Sequence, residues 1–389
     1  MKICYITAEY PPRIGGVGDY VRHLSREMAA RGYDVTVVTS AGLGDVSDAD
    51  NGRSPRVLPV IKKWNLLCLP ALLKVLAAVS ADVYILEYVG YMYGRGGIAP
   101  WLLFLFLVFK LGNKTVILNA HETWRPRYRK AGASVLTFIS FVIFCSGIWA
   151  STKIVVTNRF RELLLTGVLG VDDRRVELIP AGANILPTGG AKRRADKSRE
   201  LRIVTFGIWH EDRTTEELTA VIEQLRESRS VKLFVVGGFG SSRESLARVD
   251  RLLTAPGRRE WLYVTGALPP ERVSAYLTQA DIYVSPLNGG PSGRRGSLLA
   301  AMAHGLPIIA YDGYERDGVF RNGHNIILIE KSDSKGLYEA LTSLASDEAY
   351  RRELGANARA AFEEHFSWAR IADKWENLLA DASTGTTEI

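Results

Sequence analysis

The chain alternates short β-rich runs with amphipathic helical runs, and it starts that alternation twice. In the first series, residues 3–7, 35–39, 83–87, 115–119 and 154–157 read as strands. Between the first two lies a helical run, 19–31, with Val21, Leu24 and Met28 on one face and Gly32 as its stop. The second series comprises 202–206, 232–236, 261–264, 282–285, 307–310 and 326–329, with helical runs such as 215–227 and 271–279 between strands. Strands separated by helices predict parallel α/β layers, because a parallel pair needs a crossover long enough to hold a helix. Residues 187–200, PTGGAKRRADKSRE, contain no large apolar side chain and read as an exposed linker. The pattern predicts two doubly wound, Rossmann-like domains, 1–186 and 201–365. Ligands of such sheets bind outside the carboxyl ends of the strands, so two facing sheets would hold an interdomain cleft.

Composition removes several function classes. At 389 residues the chain exceeds one typical core. Its 47% hydrophobic and 23% charged residues are ordinary for a globular protein. Cys4, Cys68 and Cys145 are too few and too scattered for a disulfide framework or a zinc site, which predicts a reducing, cytoplasmic compartment. The opening MKICYIT lacks the layout of a signal peptide. Residues 1–190 carry 22 Lys and Arg against 14 Asp and Glu, while 191–389 carry 27 against 28. The whole net charge of +7 therefore comes from the first half. No zinc-finger spacing, aromatic RNA-binding run or uniform basic stripe accompanies it, so nucleic acid is not an expected partner. Two uncharged runs remain, 98–109 and 131–152. The first is too short to span a bilayer and contains Pro100; Ser134, Thr137, Ser140, Ser146 and Gly147 dilute the second. A buried or surface-docked helix is the expectation for the second, with membrane contact as the alternative.

Four segments carry candidate chemistry. After the first strand, Gly15, Gly16 and Gly18 in EYPPRIGGVGDY permit close backbone approach, and the following helix offers free N–H groups to an anion. A plain tight turn is the alternative. The GGxG spacing and the absence of an acid at Thr39 and Ser40 argue against a dinucleotide oxidoreductase. His121, Glu122 and Trp124 sit just past the strand 115–119, where a histidine can hydrogen-bond a hydroxyl or a developing charge; a structural loop histidine is the alternative. Arg125, Arg127, Arg129 and Lys130 follow it. Nothing pairs His121 with a Ser or Cys nucleophile. In the third segment, NGGPSGRRGS, Arg294 and Arg295 precede Gly296 and Ser297 at a helix start, a combination suited to a diphosphate or to an exposed basic loop. In the fourth, Gly207 ends a strand six residues before Arg213, placed to reach the same diphosphate.

Taken in order, YPPRIGGVGDYVRHLSREMAARGYDVTVVT, STKIVVTNRFRELL, VELIPAGAN, VTGALPPERVSAYLTQADIYVSPL, LLAAMAHGLPII and HFSWARIADKWENLL resemble the GT-B glycosyltransferases, family 4 in particular. The resemblance implies sugar transfer from a nucleotide-diphosphate sugar as co-substrate, with retention at the anomeric carbon and without metal or other cofactor. It also implies that residues 366–389 form a helix crossing back to the first domain, which receives the acceptor. It places Gly15, Gly16 and Gly18 near the donor phosphates and the acceptor, and His121 beside the transferred sugar. It sets Arg213 in place of a diphosphate-binding lysine. The arginine that normally follows the glycine at Gly207 is Ile208 here. The family's two glutamates, eight residues apart, fall on Ser292 and Ala300, so the contacts to donor sugar and ribose are unassigned. Arg294 and Arg295 could supply the phosphate affinity that Ile208 cannot.

The expected reaction is front-face displacement, in which the leaving diphosphate takes the acceptor's proton and the protein supplies position and electrostatics. The missing glutamates leave a rival reading, a catalytically impaired nucleotide- or sugar-binding protein on the same scaffold. An epimerase or phosphorylase of the same architecture is weaker. The acceptor is expected to be a saccharide, a lipid-linked or a small-molecule hydroxyl, with Glu122, Trp124 and Arg125 on its side. Arg53, Arg56, Lys62 and Lys63 lie close in sequence to Trp64, Leu66 and Leu67, as Arg125, Arg127, Arg129 and Lys130 do to Trp124. Such interleaving suits an anionic lipid surface at the inner face of the membrane, or else a solvated face.

Overall fold

The computed structural model describes residues 1–13, 15–42, 53–124, 131–189, 200–208, 215–238 and 243–384. The chain divides into two compact units, Met1–Ala181 with Trp368–Ile389, and Gly182–Ser367.

The first unit runs β1 (Lys2–Ile6), α1 (Gly16–Ala30), β2 (Asp34–Ser40), β3 (Arg56–Ile61), α2 (Leu69–Val79), β4 (Val83–Tyr88), α3 (Gly90–Tyr93), α4 (Trp101–Leu111), β5 (Val116–Ala120), α5 (Ala131–Ala150), β6 (Lys153–Val156), α6 (Arg159–Leu163) and β7 (Val176–Leu178). Its strands form one parallel sheet in the order β3-β2-β1-β4-β5-β6-β7. The strand order reverses between β1 and β4, and the loops after these two strands diverge at their carboxyl ends. Strands β3 and β7 are additional to the five expected. Pro59 interrupts the β-rich reading of β3, and an edge strand tolerates it because one side of its backbone needs no ladder partner. At three residues, β7 is too short to stand out in sequence.

The second unit runs β8 (Leu201–Phe206), α7 (Thr215–Arg226), β9 (Val231–Val236), α8 (Arg243–Thr254), β10 (Leu262–Val264), α9 (Pro270–Thr278), β11 (Ile282–Ser285), α10 (Gly296–Ala303), β12 (Ile308–Tyr311), β13 (Ile327–Ile329), α11 (Ser334–Ser346) and α12 (Glu348–His365). Its sheet has the order β10-β9-β8-β11-β12-β13, again all parallel, with the reversal between β8 and β11. Helix α10 is buried from Leu298 to Ala303; its small residues let it lie close against the sheet.

Two boundaries differ from the sequence reading. Residues 182–186, grouped by sequence with the first domain, belong to the second unit, because Ala183 and Ile185 pack into its core with Leu298 and Leu299. Phe366 also packs there, so the second unit extends to Ser367 instead of 365. Most of the expected linker, 190–199, lies outside the described residues.

The final helix, α13 (Trp368–Thr384), belongs to the first unit. Trp375 is fully buried and its indole Nε1 donates to the Tyr20 hydroxyl at 2.9 Å. The Trp368 ring stacks on His23 of α1 at 4.9 Å. Arg31, at the end of α1, holds Asp373 at 2.8 Å and Glu376 at 2.5 Å. Removing the indole empties a large core site. Trp375→Ala should therefore cost about 3–5 kcal/mol in chemical denaturation, and Trp375→Phe clearly less. A loss below about 1 kcal/mol for the alanine variant would mean that α13 is not an integral part of the first core.

Candidate functional site

The candidate residues of the first unit gather at the carboxyl ends of β1, β4 and β5. Glu87, near the end of β4, is fully buried. His121 follows β5, and its Nε2 lies 2.5 Å from Glu87 Oε2. Asn119 Nδ2 donates to the same oxygen at 2.8 Å. Burial pushes the Glu87 carboxyl above the usual carboxylate range, and His121 and Asn119 pull it back in part. The edge of the His121 ring meets Tyr20 at 4.9 Å, and Tyr20 is itself fixed by Trp375. The imidazole is thus held on two sides. With Nε2 committed to Glu87, Nδ1 is the ring nitrogen left for a ligand.

The glycine loop is occupied by the protein itself. Glu9 lies so close to Gly15 that a Cβ there would sit 2.2 Å from Glu9 Oε2. The Glu9 carboxylate also takes the Gly18 amide in the first turn of α1. Burial raises its pKa, and the Gly18 amide and the nearby His121 oppose that rise. Gly18 has its own reason to lack a side chain, since a Cβ would come within 3.1 Å of the Glu9 and Tyr10 backbone. Glu9 therefore faces these amides in this structure, and a carboxylate there suits a hydroxyl donor; the donor-phosphate contact expected at Gly15, Gly16 and Gly18 is carried forward as a proposal.

Beyond His121, a pocket open to solvent is lined by Glu122, Thr123 and Trp124, by Tyr88 and Tyr91, and by the start of α5. It brings together two of the three acceptor-side candidates; Arg125 lies outside the described residues. Trp124 Nε1 is buried without a hydrogen-bond partner among the described residues, although its ring packs on Phe141 at 5.0 Å. An unpaired buried donor is costly, and a ligand oxygen in the pocket would relieve that cost. Trp64 has turned inward, contrary to the surface grouping read from sequence. Its Nε1 donates to Ser40 Oγ at 2.8 Å and its ring meets Tyr93 at 5.3 Å.

In the second unit the site follows the reversal between β8 and β11. Gly207 follows β8 with φ +133° and Gly237 follows β9 with φ +127°. A Cβ on Gly237 would lie 2.2 Å from the Gly207 carbonyl oxygen, so the two backbones approach as only glycines allow. Arg213, seven residues past the end of β8, is outside the described residues, as is the rest of 209–214.

The loop from β11 to α10 holds Arg294 and Arg295, and neither is a free-standing phosphate ligand. Arg294 Nη1 donates to both oxygens of Glu315, at 2.8 and 2.9 Å, and Arg295 Nη2 donates to Oε2 at 2.7 Å. Glu315 is buried, so its charge depends on both guanidinium groups. Asp317 accepts from the Gly293 amide at 2.6 Å. The excess positive charge expected of this loop is therefore largely balanced. Each guanidinium has five N–H donors, so ligand-binding capacity is left after Glu315 is satisfied. Gly296 and Ser297 open α10, where first-turn amides have no acceptor within the helix. Ser292 Oγ and Asn288 Oδ1 are buried in the same loop without hydrogen-bond partners among the described residues.

Sequence reading missed Glu9, Glu87, Glu315 and Asp317. An acid inside the apolar strand VYILEY was a readable signal for Glu87. No local pattern marks Glu315, whose partners lie twenty residues away.

Two family models match the chain, "Glycosyltransferase Family 4" over 14–185 and "Glycosyl transferases group 1" over 200–347. The D-inositol 3-phosphate glycosyltransferase of Corynebacterium diphtheriae is 24% identical, over 95% of this chain and 90% of that protein. The glycogen synthase of Mycobacterium tuberculosis is 22% identical, over 99% and 96%. Among solved structures, sucrose-phosphate synthase from Thermosynechococcus elongatus aligns with TM-score 0.76 and 20% identity, over 99% of both chains. Anabaena HepE in complex with UDP-glucose aligns with TM-score 0.71 and 13% identity, over 98% of this chain and 100% of that one. With its two parallel sheets and both halves matched, the chain belongs to the group 1, family 4 glycosyltransferases of the GT-B fold.

Proposed function

We propose that this glycosyltransferase is a retaining enzyme that moves a sugar from a nucleotide-diphosphate sugar to an acceptor hydroxyl, with no cofactor beyond the donor. The observation that carries the reading is the β11–α10 loop, where two arginines, the first-turn amides of α10 and two unpaired buried polar atoms adjoin the carboxyl end of the second sheet. That set suits a diphosphate, and Arg213 is assigned to it on the resemblance alone. A UDP-sugar is the first donor to test, since HepE structures hold UDP and UDP-glucose.

The acceptor is assigned to the first unit, in the pocket of Glu122 and Trp124, with His121 and Glu9 facing the reacting hydroxyl. In the proposed step the bond from the anomeric carbon to the diphosphate oxygen breaks. The acceptor oxygen bonds to that carbon on the same face, and its proton passes to the departing diphosphate. The products are the glycoside and the nucleoside diphosphate. Leaving-group charge is met by guanidinium groups and helix amides, and no metal ion is assigned a part. A reducing cytoplasm fits the free thiols of Cys4, Cys68 and Cys145. The acceptor classes are a glycan, a lipid-linked hydroxyl at the inner membrane face and a small-molecule hydroxyl.

Release of nucleoside diphosphate from a panel of nucleotide sugars, with hydroxyl acceptors present, tests the reading. A product with the donor's anomeric configuration by NMR supports it, and an inverted product or no release from any donor refutes it. In that assay His121→Ala should lower kcat by on the order of 10²-fold, and it should also lower the melting temperature, because it takes a partner from the buried Glu87. Full activity with lost stability would make His121 structural.

The arginine pair requires two readouts, because removing it strands the Glu315 charge. Arg294→Ala with Arg295→Ala should abolish measurable nucleoside-diphosphate binding by calorimetry and destabilise the second unit by about 3–5 kcal/mol. Glu315→Gln should retain binding. Wild-type affinity in the double variant would confine both arginines to a structural role.

A further inference from the structure

Helices α4 and α5 lie side by side on one face of the first sheet, with Gly147 of α5 against the Phe106 ring of α4. Each buries one stripe: Leu102, Leu105 and Phe109 on α4, and Ile143, Phe144 and Ile148 on α5. The opposite stripes are equally apolar and face water. On α4 these are Phe104, Leu107, Val108 and Leu111, at the i, i+3, i+4, i+7 spacing of one helix face. On α5 they are Val135, Phe138, Val142 and Trp149, on a common face by the same periodicity. Leu111 is 78% exposed, Phe138 65%, Phe104 53% and Trp149 51%. Single exposed apolar residues are ordinary, but two adjoining stripes are not.

We infer that this outer face of α4 and α5 is a docking surface for an anionic lipid bilayer. Charge complementarity selects that occupant. Neither helix contains an acidic residue, and Lys110 is the one charged residue in the two together. Arg95 is exposed just ahead of α4, and Lys114 just after it. Lys110 lies over the Trp149 ring at 5.6 Å, an aromatic–cation pair of the kind that settles at the headgroup level. Among the described residues no helix is long and apolar enough to cross a membrane, so these helices lie along the surface instead of spanning it. The start of α5 supplies Leu136, Thr137 and Ser140 to the pocket of Glu122 and Trp124. A membrane-bound acceptor would therefore reach that pocket from the docked face. This consequence rests on the acceptor reading above, whereas the docking does not. The surface also differs from the Trp64 region suggested by sequence.

Co-sedimentation tests the inference with vesicles of equimolar phosphatidylcholine and phosphatidylglycerol against vesicles of phosphatidylcholine alone. The full chain should pellet with the anionic vesicles and far less with the neutral ones, and physiological salt should weaken binding relative to low salt. The double variant Phe104→Gln with Phe138→Gln should lower vesicle partitioning at least about tenfold. Lys110→Glu with Lys114→Glu should remove the preference for anionic lipid. Nucleoside-diphosphate affinity and melting temperature should not change in either variant, which separates failed docking from a failed donor site or fold. Protein that stays in the supernatant with anionic vesicles at low salt overturns the inference. So does a dimer in sedimentation velocity without lipid that the Phe104→Gln, Phe138→Gln variant dissolves, because the face would then belong to a second copy.

Discussion

Parallel strand pairing is the constraint on which everything else in this protein rests. A parallel sheet returns every strand in the same direction, so all its carboxyl ends, and the loops that leave them, collect on one edge. In the first unit that edge brings the ends of β1, β4 and β5 together, and with them Glu9, Glu87 and His121. In the second it brings Gly207, Gly237 and the β11–α10 loop together. Neither cluster is contiguous in sequence. Each follows from strand order, with the reversal between β1 and β4 in one sheet and between β8 and β11 in the other.

Both clusters manage buried charge by pairing it. Glu87 has no exposure at all and is held by His121 and Asn119; Glu315 is held by Arg294 and Arg295. An unpaired charge at either depth would cost several kcal/mol, so each acid fixes the orientation of the groups around it. This gives the acids a positioning part, and it explains how a loop with two arginines can stay ordered. The same logic reaches the end of the chain, where Trp375 fixes Tyr20 and Tyr20 meets the edge of the His121 ring.

The alternating pattern made the two sheets legible, because buried parallel strands leave short β-rich runs that need no knowledge of partners. Strand β3 was hidden by Pro59, which reads as a breaker unless the strand is known to be an edge. His121 and the Arg294–Arg295 loop were legible as candidates because they sit where a strand or helix changes. Their partners were not. The pairing of Arg294 with Glu315 depends on how two successive crossover loops fold back, and the approach of Glu9 to Gly15 depends on the path of the loop after β1. Charge counting suggested a basic cradle, and the structure supplies the acids that balance it. The apolar runs were visible, but only three dimensions separate the stripe of α4 that meets the core from the stripe that meets water.

A crystal structure with a nucleoside diphosphate bound tests the central assignment most directly. The account predicts the diphosphate at the start of α10, in contact with the amides of Gly296 and Ser297 and with the guanidinium groups of Arg294 and Arg295. Gly207 and Gly237 should leave room for it at the end of the sheet. A diphosphate seated instead on Gly15 to Gly18 of the first unit, with Glu9 displaced, would contradict it.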